Sequence, residues 1–367
     1  MKALKTILIV LTAYCLLLSS VALAQGQAGL DIATLKAGVG ARPLGMGSAF
    51  TAIANNADAP YWNPGGLGFI SDKNEITTMQ TKLSTDADHY YVSYIRPALG
   101  GTLGISWIQV GLGNITQTSA EVDLNNEVVD LSIFSYFSNA YMLSYGREIN
   151  DMVSLGLTAK YLTSDMFQIS GGQAYGYSVT PGILIRFTGK EKQETGMVLG
   201  KKSEFKDETG LLSARRISGK KYPGLREKES SQVLKPGKTK KPSRFAALMS
   251  GLTLGIKIDE LLNEQSWGTG TKEYVPAKLR IGLAYARSNP GLFALDVSQT
   301  LKSGYAATAS VGYEWFKEGL AIRFGYDDGM TAGAGFESGN TRVDYAFVTQ
   351  QDLSRENVHR ISLTGMW

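Results

Sequence analysis

Apolar and polar residues alternate with period two in one segment after another. Val153, Leu155, Leu157, Ala159 and Tyr161 alternate with Ser154, Gly156, Thr158 and Lys160. Leu279, Ile281, Leu283 and Tyr285 alternate with Arg280, Gly282 and Ala284. Leu320, Ile322, Phe324 and Tyr326 alternate with Ala321, Arg323, Gly325 and Asp327. Successive side chains of a strand point to opposite faces, so each segment has one apolar face and one polar or small face. The pattern predicts strands over 74–82, 88–96, 101–111, 137–148, 152–164, 173–188, 245–258, 276–287, 291–301, 305–316, 319–327, 331–338, 341–349 and 357–367. The connections 97–100, 148–151, 288–291, 317–319 and 339–340 are short, whereas 112–136 and 259–275 read as long loops.

A β-sandwich would alternate in the same way. Two features favour a closed transmembrane barrel. Tyr161, Tyr285, Trp315 and Tyr326 sit at or near the ends of apolar faces, where amphipathic rings suit a membrane interface. The polar faces are rich in glycine, 42 of 367 residues overall, which suits a barrel interior. Charged residues are only 19% of the chain, below the roughly 25% of a soluble domain. The expected fold is therefore all-β, a transmembrane antiparallel barrel of about 14 strands, an even number as in bacterial single-chain barrels.

The first 24 residues have a different character. Lys2 and Lys5 precede the apolar run Ile7–Leu18, and Ala22-Leu23-Ala24 forms a small-residue cleavage site. That is a secretory signal peptide, 1–24, implying Sec-type export. The single cysteine, Cys15, lies within it, which excludes disulfides, thiol catalysis and Cys-ligated metal from the mature chain. Beyond it no stretch of 18 apolar residues occurs, so no helical span is expected. The barrel then divides into 73–188 and 245–367 around an insertion, 189–244. The insertion holds 16 Lys/Arg against 7 Asp/Glu and no sustained apolar period. It reads as disordered and basic, and strand parity places it in the periplasm with both termini.

Little in the chain suggests catalysis. His89 and His359 are the only histidines and lie far apart, with no metal-ligand spacing and no nucleophile motif around them. Gly38-Val39-Gly40 lacks the preceding strand and third glycine of a phosphate loop. No enzyme activity, cofactor, metal or nucleic-acid partner is expected. The predicted lumenal positions of the second half are unexpectedly charged: Arg280, Asp296, Glu314, Arg323, Asp327, Arg342, Asp344 and Arg360. Opposite signs fall on neighbouring strands, which predicts a network of pairs stiffening the wall, or a polar gate or head-group site. In the last strand Ile361, Leu363, Gly365 and Trp367 alternate with Arg360, Ser362, Thr364 and Met366. A closing strand ending on an aromatic resembles the signal read by the barrel assembly machinery, which usually ends in Phe.

The segment 25–72 is Gly/Ala-rich and too short for a core of its own, and a barrel this wide has a lumen to fill. It contains Ala41-Arg42-Pro43-Leu44-Gly45-Met46-Gly47-Ser48-Ala49-Phe50, then Asp58-Ala59 and Tyr61-Trp62-Asn63-Pro64-Gly65-Gly66-Leu67. This resembles the N-terminal plug of FadL-like barrels, and most closely the PorV/PorQ family, whose pattern runs A-R-x-x-G-M-G-x-A and W-N-P-A-G-L. Gly65 stands where that pattern has Ala. The strand Pro276–Tyr285 also fits, and the resemblance spans the mature chain except 189–244. It implies a fourteen-stranded outer-membrane barrel of a Gram-negative-type bacterium with a lumenal plug. The plug motif would comprise Arg42, Gly45, Met46, Gly47, Trp62, Asn63, Pro64, Gly65 and Gly66. Two functions follow from the resemblance. One is a plugged conduit or binding site for hydrophobic compounds, with an apolar pocket beside the plug. The other is type IX secretion, in which the barrel docks or shuttles secreted cargo proteins through loops 112–136 and 259–275. The expected partners are outer-membrane lipid, the assembly machinery, and a hydrophobic ligand or a cargo protein.

Overall fold

The computed structural model describes residues 33–83, 86–122, 126–187, 251–286, 291–349 and 357–367. The leader 1–24 and the basic insertion 189–244 lie outside the described residues. Sixteen strands follow one another: β1 Glu75–Lys82, β2 Asp88–Ala98, β3 Gly101–Val122, β4 Val128–Asn150, β5 Val153–Phe167, β6 Gln173–Phe187, β7 Leu252–Asp259 and β8 Leu262–Trp267. After these come β9 Lys272–Glu273, β10 Lys278–Tyr285, β11 Gly291–Thr300, β12 Thr308–Lys317, β13 Leu320–Tyr326, β14 Met330–Ser338, β15 Thr341–Val348 and β16 Val358–Met366. Sequence neighbours pair antiparallel, except that β7 pairs with β6 and β10 while β8 pairs with β6 and β9. The ring closes where β1 meets β16, from Glu75↔Met366 to Gln80↔Ile361. Strands β8 and β9 form a hairpin above β7 and are not separate staves. The closed wall therefore has fourteen strands, as the alternation predicts.

The faces are arranged as lipid requires. Leu143, Leu157, Ile281, Ile322, Ile361 and Leu363 all point outward and are exposed, Leu363 at 52%. Their strand neighbours Ser144, Thr158, Arg323, Arg360, Ser362 and Thr364 are buried inside. A hydrocarbon solvent favours this outside, and the wall strands satisfy their backbone by pairing with a neighbour on each side. Trp107, Tyr141, Tyr161 and Tyr177 form one cross-strand row on β3 to β6, an outward aromatic band. Trp367 stacks on Tyr94, centroids 6.0 Å apart, across the closing seam. Among the described residues no helix is long and apolar enough to cross a membrane.

Two expected loops are strands. In place of a loop over 112–136, β3 and β4 continue as a paired ribbon to Val122↔Val128. Pairing of β3 with β2 ends at Gly111, and of β4 with β5 at Ser135, so the ribbon projects beyond both neighbours. Register shifts at Leu112/Ile115, Gln117/Thr118 and Thr118/Val122 scramble the period-two signal there, which is why the alternation missed it. The span 259–275 likewise contains β8 and β9. Between Gly182↔Lys257 and Val179↔Leu262, three steps on β6 face five on the opposing strand. This bulge holds Glu260 at φ 56.

Residues 33–70 lie within the ring. They form short helices, α1 Ala33–Lys36, α2 Ala41–Gly45 and α3 Ala59–Trp62, and a 3-10 turn Pro64–Phe69. Val39, Met46, Phe50, Trp62 and Leu67 of this inner segment are almost wholly buried, and the segment as a whole supplies most of the apolar core.

Candidate functional site

The inner segment folds on itself through three residues of the Tyr-Trp-Asn motif. The Tyr61 hydroxyl donates to the Leu35 carbonyl at 2.7 Å, and Trp62 Nε1 donates to the Val39 carbonyl at 2.9 Å. Asn63 donates to the Thr51 carbonyl at 2.8 Å and accepts from the Gly65 N–H at 3.0 Å, capping the turn that Pro64 begins.

The wall then grips this unit from all sides, through side chains on one partner and backbone on the other. Ser362 of β16 accepts from Ala41 N–H at 2.8 Å, and Thr331 of β14 donates to the Gly45 carbonyl at 3.2 Å. Asp296 of β11 accepts the N–H groups of Phe50 and Thr51 at 3.1 and 2.9 Å. Ser93 of β2 donates to the Ala57 carbonyl, Thr158 of β5 to Pro60, and Lys257 of β7 to Tyr61. Asn63 reaches the Ile183 carbonyl of β6 at 3.1 Å. The fit is close. A Cβ built on Gly65 would lie 2.8–2.9 Å from Ile183 backbone atoms, so this wall leaves no room for the alanine that the family pattern carries. Met46, Gly47 and Gly66 are similarly enclosed.

Most of the charged residues inside the ring fall into two groups. In the first, Arg42 makes a bidentate pair with Glu314, both bonds 2.8 Å, and its third nitrogen donates to Asn55. Glu314 also accepts from Arg323 at 2.6 Å, Arg323 lies 2.8 Å from Asp344, and Asp344 accepts from Arg342 at 2.9 Å. Arg323 on β13 reaches Asp344 on β15 across β14. It can do so because Gly335 intervenes: a Cβ there would sit 2.5 Å from the Asp344 carboxylate and 2.9 Å from the guanidinium. Nearby, Asp58 is buried, with one carboxylate oxygen bonded to Asn56 and the other without a hydrogen-bond partner. Burial pushes this carboxyl up to about 6, against the pull of Arg342.

The second group surrounds a cavity of about 120 Å³ between the inner segment and β5, β7 and β10. Lys160 pairs with Glu260, which also accepts from Ser178. Lys257 lies 2.8 Å from Asp259, and Arg280 lies 3.1 Å from the same carboxylate. Lys278, Leu35, Tyr61, Val275 and Pro276 complete the lining.

This arrangement corrects the expected single network in four places. Arg280 pairs with Asp259 rather than with a member of the first group. Asp296 serves inner-segment amides. Asp327 accepts from Ser310 at 3.0 Å. Arg360 stands apart from both groups: it contacts His89 at 3.3 Å and makes no ion pair with any described residue. The cavity beside the inner segment is charged rather than apolar. His89 faces the lumen, while the His359 ring meets Tyr345 on the outer side, so the two histidines share no site. Sequence reasoning missed Asp259 and Glu260. Lys160 and Lys257 stood on polar alternation positions and were legible as lumenal, though not as paired.

No family model matches the chain, and no curated protein matches it. Solved structures do match over nearly the whole chain. The P. putida toluene transporter TodX is 11% identical with TM-score 0.51, covering 90% of this chain and 97% of that one. The fold is the one seen in solved toluene transporters and monoaromatic hydrocarbon channels. The monoaromatic hydrocarbon channel CymD is 11% identical with TM-score 0.52, covering 92% and 99%. The Ralstonia pickettii toluene transporter TbuX is 12% identical with TM-score 0.50, covering 90% and 97%. The likeness is one of fold. The lumenal chemistry described above comes from this chain's own residues.

Proposed function

We propose that this chain is an outer-membrane barrel that binds and passes hydrophobic or amphipathic compounds, with residues 41–67 as a movable plug. The observation that carries this reading is the mode of docking. The inner segment is held mainly by side-chain-to-backbone hydrogen bonds and one bidentate ion pair around the ring, with no covalent tie. Such contacts can be exchanged for water when the segment shifts, whereas the wall ladder cannot. The shared fold with toluene and monoaromatic-hydrocarbon channels supports the same reading.

The test uses the absence of any cysteine other than Cys15. Gly45 and Ala346 of β15 approach at the right distance, since a Cβ on Gly45 would lie 3.6 Å from the Ala346 Cβ. A Gly45→Cys/Ala346→Cys variant should form a disulfide that locks the segment to β15. Uptake of labelled toluene by expressing cells should fall when the variant is oxidised and return with reductant. Equal uptake in both states would rule out a moving plug.

A second reading follows the resemblance of Arg42–Gly66 to the PorV/PorQ plug, in which the barrel docks secreted cargo in type IX secretion. The β3–β4 ribbon favours it, because Val128, Leu131 and Ile133 are exposed beyond the end of the neighbouring pairing. Trimming 113–133 to a tight turn should abolish cargo capture and leave solute uptake intact under this reading.

A further inference from the structure

The charged cavity between the inner segment and β5, β7 and β10 is poorly suited to a neutral hydrocarbon. Its walls carry four cations, Lys160, Lys257, Lys278 and Arg280, and two carboxylates, Asp259 and Glu260. Lys160 and Glu260 neutralise one another, with Ser178 satisfying the second carboxylate oxygen. Lys257 and Arg280 must share the single carboxylate of Asp259. That trio carries one net positive charge at the cavity edge; Asp327 and Asp296, which also act on Arg280, lie outside the lining. A buried cation in excess favours an anion brought beside it, because water there is scarce and the Coulomb attraction is screened little.

The remaining lining supplies the other half of a binding site. Leu35, Val275 and Pro276 are apolar. Tyr61 presents its ring, over which Lys257 Nζ stands 5.5 Å from the centroid. The volume sets the size of the occupant. A cavity of about 150 Å³ accepts benzene, so a cavity of about 120 Å³ holds a body of that order and leaves the rest of a long alkyl chain outside. The bulge at Glu260 is what builds the site. Two extra residues on the β7–β8 side turn the Glu260 carboxylate inward onto Lys160, leaving Asp259 to Lys257 and Arg280.

From these observations we propose that the cavity binds a small organic monoanion. The ligand's carboxylate lies against Lys257 and Arg280, and its compact apolar or aromatic body lies against Leu35, Tyr61 and Pro276. This names the substrate class for the conduit reading and rests on it. It also sets this chain apart from channels for neutral hydrocarbons of the same fold.

The experiment is equilibrium binding to the purified full-length barrel in detergent, with benzoate, toluene and decanoate as probes. Benzoate should bind at least about tenfold more tightly than toluene, the worth of one charge-assisted contact. Decanoate should gain nothing from its longer chain. Arg280→Gln should weaken benzoate at least about tenfold and leave toluene unchanged. Asp259→Asn frees the two cations from their shared partner and should tighten benzoate. A gain of affinity cannot arise from misfolding, so this variant stays informative if Arg280→Gln does not assemble. Toluene binding equal to benzoate and indifferent to Asp259→Asn would overturn the inference and leave the conduit reading standing. No binding of benzoate to a barrel that still shows disulfide-gated toluene uptake would overturn it too. Loss of that gating alongside intact benzoate binding would instead remove the conduit reading and keep the site.

Discussion

Glu314 is the point on which the inner segment hangs, and its removal should cost more than removal of its partner. Glu314 is gripped by two guanidiniums, Arg42 at 2.8 Å and Arg323 at 2.6 Å. Arg42 has no carboxylate other than Glu314 within bonding distance among the described residues. Arg42→Ala therefore leaves Glu314 paired with Arg323 and loses only charge-assisted hydrogen bonds, about 1.5–3 kcal/mol. Glu314→Gln strands a buried Arg42 and weakens the hold on Arg323, which keeps Asp344, and costs about 3–5 kcal/mol. Both costs fall on docking of the segment, since the wall ladder is untouched. At ~1.4 kcal/mol per tenfold, the undocked population rises by one to two orders of magnitude for Arg42→Ala and two to nearly four for Glu314→Gln. The double variant removes the stranded charge along with its partner, so its cost should fall short of the sum by about 2 kcal/mol. Open-channel probability in planar bilayers reads the undocked fraction directly, and heat-modifiable migration checks that the wall is intact. Equal effects of the two single variants, or additivity in the double, would refute the assignment of Arg42 and Glu314 as a latch.

Three further outcomes can be measured. Asp58 sits near pH 6 because burial disfavours its charge. A carboxyl raised in the docked state supports docking fully below about pH 4 and loses that support as pH rises through about 6, a swing of ~3 kcal/mol. Channel openings should therefore rise between pH 4.5 and 7, and Asp58→Asn should flatten the profile. Gly65→Ala should push the turn off Ile183, cost about 1–3 kcal/mol of docking, and expose Trp62 to aqueous quenchers. An unchanged quenching constant would count against the close approach. Deleting Leu363–Trp367 removes the register partners of Glu75 to Thr78 and should leave no heat-modifiable barrel. Finding a folded band in that deletion would mean that closure does not depend on this seam.

The wall was largely readable in the sequence because a lipid-facing strand must alternate, and Leu279–Tyr285 or Leu320–Tyr326 alternate without a break. Alternation fails where register shifts. That hid the β3–β4 ribbon, and it hid Glu260, whose inward turn depends on a bulge with no residue signature of its own. Charge on the polar face was legible as lumenal, and Glu314, Arg323, Arg342 and Asp344 do meet. Partnership was not legible, since it depends on small residues elsewhere: Gly335 opens the path from Arg323 to Asp344. Asp296 looks like any wall carboxylate in the sequence. Only the placement of Phe50 and Thr51 makes it an acceptor for the inner segment.

The contact between Ala41 and Ser362 joins residues 321 positions apart, and α2 rests against β13 to β16. These are the last strands to be synthesised, while the segment they grip is among the first. The inner segment must wait, unsupported on one side, until nearly the whole chain has been delivered. Its seat is finished in the same step that joins β16 to β1. Filling and closure are thus a single late event, and separations this long make such an event slow. Until that step the sheet is open and the Gly/Ala-rich strip lacks the contacts of α2 with β13 to β16. Quality control that recognises that strip would distinguish unfinished barrels from finished ones without touching the wall.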